Sequence, residues 1–215
     1  MDTIKNRTEA GEKLSLLLSK YKDTDAIIYA LPRGGVVVAE PIAHSLHLPL
    51  DLAITRKIGH PGNPEYAIGS VSEHGERCMN QSEVTSINKE YVETEIKKQI
   101  QEAHRRRLTY MPNKKPLNCD KKIAILVDDG IATGYTMKAA IQEVKTFCHP
   151  KHIVVAVGVV SNDTARELTQ PGVEIVSLIT DAHYFGSVGQ YYQQFEQVED
   201  SEVIRIMNSC SALKF

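Results

Sequence analysis

The sequence predicts an α/β fold: a mostly parallel, twisted sheet flanked by helices, with a small hood region and a hairpin-and-helix insertion. Short apolar runs recur along the chain, among them "AIIYAL", "IAILV", "HIVVAVGVV" and "EIVSLIT", and segments of helical periodicity separate them. With 215 residues, 42% of them apolar, the chain can fill the core of one domain. That domain is expected to span residues 1–215, with a core at about 24–180. The hood would occupy about 181–215 together with N-terminal residues, and the insertion about 68–118.

Ala10, Leu14, Leu17 and Leu18 lie at helical spacing within 9–20, and "DAIIYAL" from Asp25 to Leu31 reads as a buried strand. After Pro32-Arg33-Gly34-Gly35, "VVVAEPIAHSLHL" predicts a helix that Pro41 must kink unless it lies in the first turn. "PLDLAIT" supplies the next strand. "RKIGHPGNPEYA", Arg56 to Ala67, is rich in Gly and Pro and predicts a long loop. "IGSVSEHGERCMN" predicts a hairpin turning near His74-Gly75. Residues 88–107 carry Val92, Ile96, Ile100 and Ala103 on one stripe of a long helix, which covers the core or meets another subunit in a homo-oligomer. "KKIAILVDD" is the clearest strand; a helix at 136–147, two more strands and a short helix at 163–169 between them complete the pattern.

The 25 basic and 27 acidic residues nearly cancel, so no overall field draws the chain to nucleic acid or an acidic membrane. The run Arg105-Arg106-Arg107 reads as a solvated helix end that complements the helix dipole. Cys78, Cys119, Cys148 and Cys210 show no zinc spacing and are expected to be reduced thiols. The opening stretch interrupts its apolar runs with acids, unlike a signal peptide or an anchor, so a cytoplasmic location is expected.

The chemistry concentrates in "ILVDDGIATGYT", Ile125 to Thr136. In an open α/β sheet ligands gather beyond the carboxyl ends of strands, where this pattern places Asp128 and Asp129. Two such carboxylates can cap loop amides, hold a divalent metal, or accept hydrogen bonds from vicinal hydroxyls. The residues that follow favour the third use. Gly134 permits a tight turn, Thr133 and Thr136 offer hydroxyls, and the start of the next helix aims amides at one point, a geometry that binds phosphate. A diol on the acids with a phosphate on the loop describes a ribose 5-phosphate. In "LPRGG", Gly34 and Gly35 expose amides before a helix and Arg33 can grip an anion with two donors.

The stretch "ILVDDGIATGYT" resembles the ribose phosphate signature of type I phosphoribosyltransferases. The resemblance implies 5-phosphoribosyl 1-diphosphate as sugar donor and magnesium carried on its diphosphate rather than ligated directly by side chains. It assigns Asp128, Asp129, Ile131, Ala132, Thr133, Gly134, Tyr135 and Thr136 to the ribose phosphate site. "LPRGG" is similar to the pyrophosphate loop, with Arg33, Gly34 and Gly35 as ligands and the Arg33–Gly34 bond in the place of a cis or strained peptide. The "RKIGHPGNPEYA" loop corresponds to the mobile cover, with Arg56 and Lys57 meeting the pyrophosphate and His60 a weaker candidate acid. Together with "VGQYY..F.QV", these motifs resemble a little-characterised bacterial branch of the family, over roughly residues 7 to 206, which implies no defined acceptor.

One departure bears on the acceptor. Family members acting on 6-oxopurines carry an Asp two residues before the loop glycine, and here that residue is Ala132. Hypoxanthine or guanine salvage is therefore not expected, although Phe185 in "DAHYFGSVGQYY" is placed to stack on a flat ring. The expected function is phosphoribosyl transfer to an unidentified nitrogenous base or amine, a step in nucleotide metabolism with Arg33, Lys57, Asp128 and Asp129 as the catalytic set. A regulatory module that binds the donor without turning it over is the rival. An α/β hydrolase would need a GxSxG elbow that this sequence lacks.

Overall fold

A computed structural model describes residues 3–112, 114–182 and 186–211. The main sheet has five strands, all parallel, in the order β2-β1-β6-β7-β8: β1 is Ile27–Ala30, β2 Leu50–Leu52, β6 Ile123–Ile131, β7 His152–Ser161 and β8 Val173–Asp181. Strands buried on both faces need no polar alternation, and β7 is buried from Ile153 to Val160. Alternate residues feed two cores. Ile28, Ile125, Val127 and Val154 pack with α1 (Arg7–Leu17), α2 (Gly34–Leu46) and α7 (Asp200–Ser211), whereas Tyr29, Leu126 and Val155 pack with α5 (Tyr135–Cys148). The parallel α/β expectation is met.

A second, antiparallel sheet holds β3 (Thr55–His60), β4 (Asn63–Ser72) and β5 (Arg77–Met79) in that order. It corrects the expected loop at Arg56 to Ala67: that segment is a hairpin arm, with a register shift around Gly59 where Tyr91 Oη donates to the Gly59 carbonyl. Its Gly and Pro residues serve the tight reversal at Pro61-Gly62 rather than an open loop. The sheet thus begins at Thr55, upstream of the expected residue 68. A short helix α3 (Gln81–Val84) leads to α4 (Lys89–Tyr110), which lays Val92 and Ile96 on Ile58, Ile68 and Val71.

Three local expectations change. Pro41 lies inside α2 rather than in its first turn, and Gly11 of α1 approaches so closely that a Cβ there would stand 2.4 Å from the proline ring. Strand β6 continues past both acids to Ile131, held by β7 through the pairs Gly130–Val159 and Ile131–Val160. The arginine run does not end its helix. Arg105 and Arg106 bond Glu102, while Arg107 is buried against Asp51 and Glu73 and α4 continues to Tyr110.

The N-terminus joins the expected hood. Ile4 donates to the Tyr191 carbonyl, and Gln193 and Gln194 donate back to Ile4 and Lys5. A 3-10 turn at Val188–Tyr191 then sits over β6. Among the described residues no helix is long and apolar enough to cross a membrane, and the four cysteines are free thiols.

Candidate active site

The turn from β6 into α5 is built around Gly134, whose φ of +78° suits a residue without a Cβ. Gly134 caps α5 with no side-chain hydrogen bond, so the first amides of that helix face the turn. Thr164 Oγ1 donates to the Ala132 carbonyl and steadies the loop from α6 (Asn162–Leu168), whose own cap is Ser161. A cavity of about 180 Å³ opens here, lined by Asp128, Gly130, the loop from Ile131 to Gly134, Thr136, Met137 and Val188. Amides, threonine hydroxyls and the positive end of a helix dipole are groups suited to receive an anion.

The two acids part company. Asp128 belongs to the cavity wall, and its Oδ1 accepts from the Asp129 amide at 2.8 Å. Burial, and then the neighbouring Asp129 charge, push its pKa well above the ordinary aspartate range. Asp129 turns toward α1 and α2, where Arg7 Nε donates to its Oδ2 at 2.8 Å. A Cβ on Gly34 would stand 2.0 Å from that same oxygen, so the glycine is what lets the "LPRGG" turn lie against the acid. Tyr192 Oη donates to the Asp129 carbonyl at 2.6 Å, and burial raises the pKa of the phenol.

Sequence reasoning missed Arg7, Tyr192 and Val188 as parts of this site. Arg7 meets Asp129 across 122 residues of chain, and its guanidinium lies 3.8 Å over the Phe195 ring. No local pattern signals such a contact. The "VGQYY" string was the only available cue, and it pointed to the hood rather than to a phenol on the acid loop.

Other expected residues are placed less simply. The cis peptide is Pro32–Arg33, one bond earlier than the expected Arg33–Gly34. Arg33 caps α2 and makes ion pairs to Asp200 at 3.6 Å and Glu199 at 3.9 Å, while Gly34 and Gly35 form the first turn of α2. Arg56 and Lys57 alternate along β3 and so face opposite ways. Arg56 Nε donates to Gln99 on α4, where burial and then nearby Arg106 lower its pKa; Lys57 Nζ donates to Glu65 at 2.7 Å. His60 Nδ1 accepts from the Gly62 amide and closes its own hairpin. Tyr135 opens α5 with Lys138 near its ring. Phe185 lies outside the described residues.

Against known proteins, the model of the phosphoribosyl transferase domain matches residues 2–194. A Mycobacterium tuberculosis protein provisionally named a phosphoribosyl transferase is 35% identical over 210 residues, 97% of this chain and 47% of its own length. The chain therefore spans about half the length of the curated relatives it matches. The crystal structure of TT1426 from Thermus thermophilus aligns over 97% of this chain and 99% of that one, with 34% identity and a TM-score of 0.78. AQ2163 from Aquifex aeolicus, at 11% identity and a TM-score of 0.50 over 81% and 74% of the two chains, shares the fold alone. With its family model covering nearly the whole length and a relative of this identity beside it, the chain belongs to the phosphoribosyl transferase domain family.

Proposed function

We propose that the chain transfers a 5-phosphoribosyl group from 5-phosphoribosyl 1-diphosphate to a nitrogen nucleophile, with release of pyrophosphate. The cavity at the start of α5, with the half-buried acid Asp128 in its wall, carries this reading. The 5-phosphate would occupy the Thr133 to Thr136 amides and hydroxyls. The ribose hydroxyls would donate to Asp128 and to Oδ1 of Asp129, whose Oδ2 is held by Arg7. Hydroxyl donors relieve the desolvation of Asp128, so sugar binding draws on a cost already present in the free protein.

As the acceptor nitrogen bonds to C1, the C1–oxygen bond breaks and the electron pair leaves with pyrophosphate. The acceptor proton passes to solvent. Positive charge grows on the sugar ring and negative charge on the leaving group. Arg33 and Lys57 are the cations for the latter, and each must exchange its present carboxylate partners for the diphosphate. Magnesium would add charge at the leaving group. Each acid has one oxygen engaged, Asp129 Oδ2 by Arg7 and Asp128 Oδ1 by an amide, and in this reading the other two go to the ribose hydroxyls, which leaves such an ion to the diphosphate oxygens.

Ala132 cannot exchange a proton with a purine nitrogen. Loss of such a group forfeits ~10²–10⁴-fold, so hypoxanthine and guanine should turn over very slowly. The same residue favours a second reading, a module that binds the donor without turnover. A melting scan with 5-phosphoribosyl 1-diphosphate and magnesium, beside ATP and NAD, tests both readings. At ~100 times its dissociation constant a ligand adds ~2.7 kcal/mol, a shift of roughly 5–10 °C for a chain of this size. No shift would end both readings, and a shift with no pyrophosphate release across a panel of bases and amines would leave the binding module.

A further inference from the structure

A second group of ionisable side chains lies on the far part of α5, away from the phosphate cavity and outside the chemistry above. Glu73 and His74 occupy the turn between β4 and β5, and Glu143 faces them from α5. One donor atom from each falls within 4.8 Å of the other two. His74 Nδ1 stands 3.1 Å from Glu143 Oε1, and both residues line a cavity of about 190 Å³ together with Arg107.

Two independent observations show that the cluster is incomplete as a set of protein groups. Glu143 is 10% exposed at its side chain, and its Oε2 is buried with no hydrogen-bond partner. A buried carboxylate oxygen without a donor is costly, and nearly all such oxygens in folded proteins find one. The charges also fail to balance. Asp51, Glu73 and Glu143 are all buried, and among these groups the one permanent cation is Arg107, already spent on Asp51 and Glu73. An ion pair between His74 and Glu143 Oε1 would leave Oε2 as it is.

We propose that Glu73, His74 and Glu143 form a binding site for a divalent transition-metal ion. An imidazole with two carboxylates suits zinc or manganese better than magnesium, which favours an all-oxygen shell. Ligands about 2.1 Å from a tetrahedral ion lie roughly 3.4 Å apart, a spacing the cluster reaches by side-chain torsions. Glu143 Oε2 gains a partner, and Glu73 Oε2, held only by its share of the Arg107 Nε–H, can turn to the ion while Oε1 keeps both Arg107 bonds. The ion would tie the second sheet to α5, roughly 13 Å along the helix from the turn at Gly134. It would act as a brace there, separate from any magnesium carried on a diphosphate.

The test is calorimetric titration of the chelator-treated, dialysed protein with zinc, manganese and magnesium chlorides. One saturating equivalent of zinc or manganese is expected, with uptake weakened at least about tenfold in H74A and in E143Q and retained in C148S, which removes the thiol lining the same cavity. E143Q should melt no lower than the parent without metal, so that lost uptake is not lost folding. Cobalt uptake should give visible absorption bands that H74A removes. No saturable uptake by the parent, equal affinity in H74A and E143Q, or loss of binding in C148S would overturn the site.

Discussion

Two largely covered arginines, each with 12% of its side chain exposed, divide the molecule into a part that is settled and a part that is not. Arg107 meets both of its acids fully: Nη1 donates to Asp51 Oδ1 at 2.7 Å, Nη2 to the Leu52 carbonyl, and Nε to both oxygens of Glu73. Asp51 takes further donors from the Leu52 and Leu117 amides. Burial works against the arginine's charge, but Glu73 and Asp51 outweigh it and raise its pKa. Arg7 instead holds one acid of an adjacent pair, leaving Asp128 half-buried beside it with an amide and a raised pKa. The first arrangement joins β2, β4 and α4 as scaffold. The second keeps a carboxylate of raised pKa in the wall of a cavity, the kind of perturbed group that gathers at functional sites.

The largest expected effect breaks the settled half. Arg107→Met leaves Asp51 and Glu73 buried without their cation, which should cost ~3–5 kcal/mol. A urea midpoint equal to that of the parent would show that the two acids are not held by Arg107.

The unsettled half should respond in the opposite sense. Asp128→Asn removes a desolvated charge and is expected to stabilise the free protein by ~1–3 kcal/mol at neutral pH. The folded chain holds the Asp128 proton more tightly than the unfolded chain does. The parent's stability from this group is therefore greatest below the ordinary aspartate pKa of 3.8 and falls as pH rises through the raised folded pKa. Parent and variant should converge in acid and separate as pH climbs. Affinity for ribose 5-phosphate should drop ~10–150-fold in the same variant, the worth of a charged hydrogen bond. A variant less stable than its parent at pH 7 would mean that Asp128 is already compensated.

These contrasts bear on what the sequence could reveal. The strands β1, β6 and β7 were legible because burial on both faces leaves continuous apolar runs, the half-buried edge strand β8 because it keeps most of such a run, and the loop from Gly130 to Thr136 because glycine and hydroxyl residues at a strand-to-helix junction have few other uses. The β3–β4 arm was not legible, since the glycines and prolines of "RKIGHPGNPEYA" are equally apt for a loop and for a bulged hairpin. The arginine run was misread for a related reason. Whether Arg107 meets water or Asp51 depends on strands that lie far away in sequence, and charge alone carries no trace of it.

A smaller effect is expected at the other arginine. Arg7→Lys keeps the charge but loses the Nε bond to Asp129 and the stacking over Phe195. A loss of ~1–2 kcal/mol is expected, less than for Arg107 because Arg7 answers one acid. Thermal unfolding of the two variants side by side ranks them, and a larger loss at Arg7 would reverse the comparison.

The smallest stability change belongs to Lys57, and there the contrast becomes functional. Its pair with Glu65 is exposed on both sides, so Lys57→Ala should move stability by less than ~0.5 kcal/mol. If Lys57 swings from Glu65 to the leaving group, the same variant should lose affinity for 5-phosphoribosyl 1-diphosphate while binding ribose 5-phosphate as before. Arg56 is its control from the neighbouring position. It is half-buried and bonded to Gln99 on the opposite face, so Arg56→Ala should lower stability and weaken both ligands by similar factors. The sequence reading expects both cations over the pyrophosphate, whereas strand geometry turns them to opposite faces, so at most one of them can meet the same ligand group. A diphosphate-selective loss in Arg56→Ala, with none in Lys57→Ala, would show that β3 presents its other face to the ligand.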